Sequence, residues 1–492
     1  MPEKSGIVRR MRTFLFENSS AEQVIAKNTL WLSISEVAGR ILRVFVIIYA
    51  ARALGAAGWG TFSYLTSLAA VFTIFSDIGI SSVLIRETTK APKSRAPYFS
   101  TALMLKFVLI VISLIILVLV STVFTSIAIS QTLIIYIGLL FIFDSLRRFG
   151  TSLFRAEERM EREAYVNIAT QAIIVAGGIA ALFFFSTPES LAVAYAAGAA
   201  VGLLLTWNIL RKHTKNLFSS FDKSLVRPIV QAAWPLSLAA VFGALLVNTD
   251  TVMIGWFRAA EDVGFYSAAQ KPIVLFYILP TLIVGGFFPA LARFAQEKKE
   301  EFRNVLERGL HLVFLIAFPT ALGIMLTADQ IIEFLYGADY AASAAPIRIL
   351  AVTILTAFPV SILIHGVFAY NKQKSLVPLW SAGAILNIGL NVLLIPRLGI
   401  SGAAWASLVT QVLINGLIWR SMYRINAFSI KKKLPPILLA AFMMSVLVVL
   451  LRQFDAHLFI IMPLGALAYF GSLLFSGENP LGLFRESIAK SG

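Results

Sequence analysis

Phe107–Val120 reads FVLIVISLIILVLV, with Ser113 as its one polar residue and no charge. Its apolar side chains run on without alternation. A membrane barrel strand alternates apolar-out with polar-in at every second residue. A backbone in lipid must satisfy its hydrogen bonds internally, which leaves helices or a closed barrel. The stretch therefore reads as a helix. Comparable runs recur along all 492 residues, and each is about 20 residues, enough for about 30 Å of hydrocarbon. Composition agrees. The chain is 58% hydrophobic and 14% charged with mean hydropathy +0.81, against about 45–50% and about 25% in a soluble domain. One soluble core has no room for 38 Phe.

Working outward gives fourteen apolar segments, at 28–51, 60–84, 98–121, 128–146, 164–186, 190–210, 228–256, 264–290, 306–327, 346–370, 375–395, 400–420, 434–451 and 457–475. The connections alternate in charge. With the N-terminus in the cytoplasm, inner connections and tails carry 33 of the 42 Lys and Arg, and outer connections carry Arg52, Arg258, Arg397 and Arg452. Positive charge stays on the cytoplasmic side, so both termini are expected inside. The net charge of +16 then sits beside anionic lipid headgroups, not in a nucleic-acid patch.

The segments repeat. Ala56-Ala57-Gly58-Trp59-Gly60-Thr61-Phe62-Ser63 returns, with one insertion, as Ala259-Ala260-Glu261-Asp262-Val263-Gly264-Phe265-Tyr266-Ser267. Ala194-Tyr195 returns as Ala404-Trp405. Six segments separate the copies, so both halves share one orientation. Parallel repeats of this kind place a substrate site between halves and permit alternating access. The expected organisation is an all-α integral membrane protein. It has an N-terminal tail (1–27), a six-helix bundle (28–210), a cytoplasmic linker (211–227) and a second six-helix bundle (228–420). Two further helices (421–475) and a C-terminal tail (476–492) complete it.

Several functions are excluded or unsupported. There is no cysteine, so disulfides and thiolate metal sites are absent. His213, His311, His365 and His457 show no metal-ligand spacing. Basic residues Arg9, Arg10 and Arg12 precede only a short apolar stretch, which reads as a tail rather than a cleaved signal. No Walker A lysine loop occurs. No connection is long enough for a soluble catalytic domain, and Arg52–Trp59 carries no acid pair of the glycosyltransferase kind. The chain is read as a non-enzyme without a cofactor.

Charges inside the membrane are costly and face protein or water. Glu36, Arg40 and Arg43 fall on one helix face by their i, i+4 and i+3 spacing. Asp77 and Lys106 lie at the depth of Glu36, and Asp250 and Lys271 at a common depth nearer the outer side. Three cations against two acids in the first half leave a cation without a partner. An arginine fork binds phosphate oxygens bidentately. Arg40, Arg43, Lys106 and Lys271 are therefore candidate phosphate-binding cations. Glu36, Asp77 and Asp250 are candidates for H⁺ or Na⁺ coupling, or for ion pairs with Lys106 and Lys271. Asp144 reads as a structural partner of Arg147 and Arg148. Asn387 and Asn391, like Gln411 and Asn415, are one turn apart; they read as interhelical hydrogen bonds or glycan contacts.

The segments resemble the polysaccharide flippase family of the multidrug/oligosaccharidyl-lipid/polysaccharide exporter superfamily. The resemblance rests on Ala51-Arg52-Ala53-Leu54-Gly55 with Gly58-Trp59-Gly60, Asp77-Ile78-Gly79-Ile80 with Arg86-Glu87, and Asp250-Thr251-Val252-Met253-Ile254-Gly255. It continues through Leu335-Tyr336-Gly337-Ala338-Asp339-Tyr340, Asn387-Ile388-Gly389-Leu390-Asn391, Ile395-Pro396 and Gly399-Ile400-Ser401-Gly402-Ala403-Ala404. It implies two six-helix bundles plus two helices. It also implies flipping of polyprenyl-(pyro)phosphate-linked oligosaccharide to the outer leaflet, with a cationic cavity and often an ion gradient. Partners implied are the lipid-linked glycan, membrane lipid and polysaccharide-assembly proteins. The alternatives are a cation-coupled drug or metabolite exporter and, from another class, a membrane glycosyltransferase or polymerase. The cysteine-free chain makes topology testable. An impermeant maleimide is expected to label R397C in intact cells and K372C only after permeabilisation; the reverse pattern would overturn the orientation.

Overall fold

The computed structural model describes residues 17–18, 20–91, 95–211 and 220–478, and among them the chain forms helices and no strand. The first helices are α1 (Ala21–Phe75), α2 (Ile80–Lys90), α3 (Arg95–Val123), α4 (Gln131–Ala156), α5 (Met160–Phe184) and α6 (Pro188–Ile209). Then come α7 (Val226–Phe257), α8 (Ala260–Phe276), α9 (Ile278–Phe294), α10 (Lys299–Leu326), α11 (Ala328–Tyr336) and α12 (Ala344–Ala369). The last are α13 (Val377–Ile425), α14 (Leu434–Gln453) and α15 (Leu458–Phe475). Ten described helical stretches are long and apolar enough to cross a membrane. This is a multi-pass membrane protein. The fourteen expected segments all fall on helices. Two pairs of segments run together, in α1 with a break at Gly55 (φ 64°) and in α13 with a break at Gly399 (φ 59°). Only glycine takes such angles without strain.

Two expected segments are interrupted. The segment at 60–84 stops at Phe75 and restarts at Ile80, through a turn in which Ile78 (φ 42°) and Gly79 (φ 75°) are both left-handed. A β-branched residue there is a true outlier. The segment at 264–290 breaks at Tyr277. Pro280 explains this break, because proline has no N–H and its ring meets the carbonyl four residues back.

Contacts divide the chain into two compact units, Met1–Asn248 and Thr249–Gly492. The division falls within α7, after the expected linker, of which 212–219 lie outside the described residues. The outer parts of both tails, 1–16 and 479–492, and His213 lie outside them too. In the first unit α4 packs on α6, and α5 packs on both α1 and α6. Small residues permit close approach there: a Cβ on Gly198 would stand 2.4 Å from Ile174, and one on Gly150 2.6 Å from Thr206.

In the second unit α12 is central and touches α8, α9, α10 and α13. The α14–α15 pair lies along α10, where the Tyr469 hydroxyl donates to the Leu315 carbonyl at 2.9 Å. Arg452, after donating to the Leu326 carbonyl, shares Asp329 with Arg348. The two extra helices are thus fastened to the second unit.

The two halves of α13 fold back tightly. A Cβ on Gly402 would lie 2.3 Å from the Leu394 carbonyl oxygen. Gly402→Ala is expected to cost about 1–3 kcal/mol by overpacking, read as a lowered thermal unfolding midpoint in detergent. Gly416→Ala, where a Cβ meets nothing within 4 Å, is expected to leave the midpoint unchanged. Equal midpoints for both variants would contradict the packing.

Candidate functional site

The second unit contains a buried carboxylate. Asp250 stands in α7 with 1% of its surface exposed. Its Oδ1 accepts from Asn391 Nδ2 at 2.7 Å and Asn387 Nδ2 at 3.2 Å. Its Oδ2 accepts from the Tyr266 hydroxyl at 2.6 Å and from the Ser407 hydroxyl. The four donors come from α8 and from both halves of α13. Asn387 and Asn391 meet Asp250 together because they are one turn apart, and Asn391 also donates to Asn387 Oδ1 at 3.1 Å. Every one of these donors is uncharged. Asn391 Oδ1 is buried with no hydrogen-bond partner, as are the hydroxyls of Thr251, Ser267 and Thr410.

The expected pair of Asp250 with Lys271 does not form. Lys271 is half-buried on α8, the helix that also carries the fully buried Tyr266. It follows Tyr266 by five residues, about 140° round the helix, so the two side chains leave α8 on different faces. Asn387 and Asn391 are likewise not exposed glycan contacts, because Asp250 holds their amides. Asn415 Nδ2 donates to Thr356 Oγ1 at 3.2 Å, and Gln411 meets the Tyr277 hydroxyl, which lies 3.0 Å from Thr353 Oγ1. All four amides therefore make interhelical hydrogen bonds.

The first unit holds a chain of charges. Arg40 Nε donates to Glu36 Oε1 at 2.7 Å along α1. Lys106, 2% exposed, pairs with Asp77 at 3.0 Å and lies 3.5 Å from Ser76 Oγ. Ser76 in turn meets Ser145 at 2.7 Å, and Ser81 donates to Asp77 at 2.6 Å. The left-handed Ile78 directly after Asp77 is where the chain accepts strain to turn. Lys106 is therefore a buried partner of Asp77 rather than a free phosphate ligand. Its reach toward Asp77 rather than Glu36 leaves Glu36 to Arg40.

Asp144 divides itself between Arg147 and Arg148, both at 2.6 Å, as its spacing predicted. Arg147 is buried and also donates to Asn167. Arg148 keeps 63% of its side chain exposed. Further along, Arg155 grips buried Glu163 with two bonds of 2.7 and 2.6 Å.

Arg43 is the odd member. It is exposed, and among the described residues it makes no hydrogen bond or ion pair, although the Tyr195 phenol lies within its electrostatic reach. The count is now sharper than in the sequence. Among the described residues Arg40, Arg43, Lys106, Arg147, Arg148 and Arg155 face Glu36, Asp77, Asp144 and Glu163, and the exposed surplus falls on Arg43 and Arg148. Sequence reasoning treated Arg148 as merely structural, since its i, i+4 acid was visible and its exposure was not. It passed over Ser407 because a lone membrane serine carries no periodic signal.

The other histidines are packed or at a helix end. His365 Nδ1 lies 2.8 Å from the Ser361 carbonyl and its ring stands edge-on to Phe288; His457 holds the N-cap position of α15, where its ring makes no capping bond. His311 is buried, 3.7 Å from Glu478. Among the described residues no group of three or more His, Asp or Glu is placed to hold a metal ion. Counting back nine residues from the aligned Ala56 and Ala259 puts Ile47, beside Val46, at the position of Asp250. Val46 is fully buried, and a Cβ on Gly178 would stand 2.9 Å from it. The first unit fills this place with hydrocarbon.

Residues 267–469 match the lipid II flippase MurJ family, and residues 25–295 match the family described as polysaccharide biosynthesis protein. A probable low-salt glycan biosynthesis flippase of Haloferax volcanii is 24% identical over 393 residues, 78% of this chain and 80% of the relative. A putative O-antigen transporter of Shigella flexneri is 23% identical over 418 residues, 81% of this chain and 97% of the relative. The structure of the lipid II flippase MurJ in an inward closed conformation superposes with a TM-score of 0.74 at 17% identity, covering 90% of this chain and 98% of that one. That likeness establishes the fold. Since the match at 25–295 takes in more than half of the sequence, the chain belongs to the polysaccharide biosynthesis protein family, within the polysaccharide flippases of the multidrug/oligosaccharidyl-lipid/polysaccharide exporter superfamily.

Proposed function

We propose that the protein flips a polyprenyl-(pyro)phosphate-linked oligosaccharide from the cytoplasmic to the outer leaflet of the cell membrane by alternating access. It does so as a transporter rather than a catalyst, with both termini cytoplasmic. The observation that carries this reading is the surplus of exposed guanidinium in the first unit. A cation inside a membrane protein is costly without a counter-charge. Among the described residues Arg43 lacks an acid and Arg148 spends only its Nε on a shared one. An anionic cargo group supplies what is missing, and phosphate oxygens match the guanidinium fork. A cationic drug would meet repulsion from the same groups. The relatives named as a glycan-biosynthesis flippase and an O-antigen transporter support the same cargo class.

Asp250 is the coupling group in this reading. A buried, ionised carboxylate without a counter-ion loses several kcal/mol of solvation even after relaxation. Four uncharged donors orient it but do not neutralise it. Na⁺ or H⁺ can. Hard cations take oxygen ligands, and the unpartnered Asn391 Oδ1 beside the Asp250 carboxylate is one. Each charge moved across the membrane draws about 2.3 kcal/mol per 100 mV. Asp77 and Glu36, already paired with Lys106 and Arg40, are structural here. Polysaccharide-assembly proteins are the natural partners on either side.

Flipping of a fluorescent lipid-linked oligosaccharide in proteoliposomes tests the cargo. Arg43→Ala is expected to slow flipping at least about tenfold, which corresponds to losing one charge-assisted contact of about 1.4 kcal/mol or more. Arg86→Ala, whose partner Glu87 is adjacent in sequence, is expected to leave the rate unchanged. Full activity of Arg43→Ala would remove the anion-binding assignment.

A further inference from the structure

The Asp250 carboxylate joins two halves of one broken helix. Its Oδ1 takes Asn387 and Asn391, before the break in α13, and its Oδ2 takes Ser407, after it. The geometry of the break at Gly399 therefore sets how the two oxygens are served. The break has its own neighbour. A Cβ on Gly399 would lie 3.0 Å from one terminal nitrogen of Arg258, 3.7 Å from its Cζ and 3.8 Å from its Nε. The guanidinium thus rests directly on the glycine.

Arg258 follows α7, eight residues after Asp250, and its backbone N–H continues the helix by donating to the Ile254 carbonyl at 2.7 Å. One helix thereby carries both residues, their backbones about 12 Å apart along its axis at 1.5 Å per residue. Both residues bear on α13. The Arg258 side chain makes no hydrogen bond or ion pair among the described residues. Its Nε is buried without a partner, and Asp262 is close enough only to act on it through space. An arginine engaged in salt bridging would show an acid at hydrogen-bond distance. This one shows a planar group laid against a backbone that has no side chain.

We infer that Arg258 is a positioning residue for the Asp250 site: seated on Gly399, it fixes the angle at which the two halves of α13 present Asn387, Asn391 and Ser407 to a single carboxylate. The inference rests on the reading of Asp250 as the cation-coupling group. Groups that orient ligands from outside the inner shell change cation affinity by about 10–100-fold. The close approach of Gly402 to the Leu394 carbonyl holds the halves together along their length. Arg258 acts at the hinge, where Gly402 does not reach.

The test uses the full-length chain, whose lack of cysteine permits clean spin labelling. Labels at I385C and L413C, exposed positions on the two halves of α13, report the angle by electron-spin distance measurement. Na⁺ titration, and pH titration without Na⁺, followed by thermal unfolding, report cation affinity. Arg258→Ala is expected to broaden the distance distribution and raise the cation concentration for half-maximal stabilisation about tenfold. Arg258→Lys, which lacks the planar fork, is expected not to restore either. Arg424→Ala, on the same helix as the labels but far from the break, is expected to change neither. An unaltered distance and midpoint in Arg258→Ala would overturn the positioning role. A broadened distance with a cation midpoint equal to that of the unsubstituted protein would also overturn it, leaving a purely structural contact. An unsubstituted protein that responds to neither Na⁺ nor pH overturns the reading of Asp250 itself, and the positioning role with it.

Discussion

Hydrocarbon does not solvate charge, and each ionisable group in this chain is placed by that fact. Asp250 shows the constraint in its clearest form. Its two oxygens collect four donors from α8 and the two halves of α13, so helices distant in sequence converge on one side chain. The break at Gly399, the fold-back at Gly402 and the seat of Arg258 all belong to the same convergence. Removing the carboxylate would strand the donors of Tyr266, Asn387 and Ser407 and leave Asn391 only Asn387 Oδ1, and unsatisfied buried donors cost about 1–3 kcal/mol each. The site is thus a fastening of the second unit, whatever the outcome for the proposed ion.

The same constraint divides the charges of the first unit into two kinds. Lys106 with Asp77, Arg147 with Asp144 and Asn167, and Arg155 with Glu163 are closed arrangements, in which buried charge meets its partner. Breaking one would strand a partner, which is the expensive event for buried ions. Arg43 and Arg148 are open. Their exposure and shortage of acids among the described residues are what the proposed anionic cargo would balance. The units have diverged accordingly. The first carries the surplus cations and has Ile47 at the Asp250 position; the second carries the buried carboxylate.

Much of this was legible in the sequence, and the limits are physical. The helices follow from runs such as Phe107–Val120, and the breaks at Gly55 and Gly399 fall between expected segments. Counting depth along helices put Lys106 level with both Glu36 and Asp77 without choosing between them, and counting charges found a cation without an acid. Depth says nothing about rotation, however, and that is why Lys271 was set against Asp250 when it leaves α8 on a different face from Tyr266. The i, i+4 pair Asn387–Asn391 was visible, but its target was not, since the carboxylate lies 137 residues away in sequence. Ser407 is one hydroxyl among many. The turn at Ile78 was hidden for another reason: nothing in a β-branched residue announces a left-handed backbone.

The central claim is that a cation bound at Asp250 drives an anionic, lipid-linked cargo across the membrane. The most direct measurement is the leaflet distribution of a labelled lipid-linked oligosaccharide in proteoliposomes under an imposed Na⁺ or H⁺ gradient, compared between the unsubstituted protein and Asp250→Asn. The account predicts that the gradient skews the distribution with the unsubstituted protein, and that Asp250→Asn, which keeps a side chain of the same shape, lets the label equilibrate evenly. An equal skew in both proteins would contradict it.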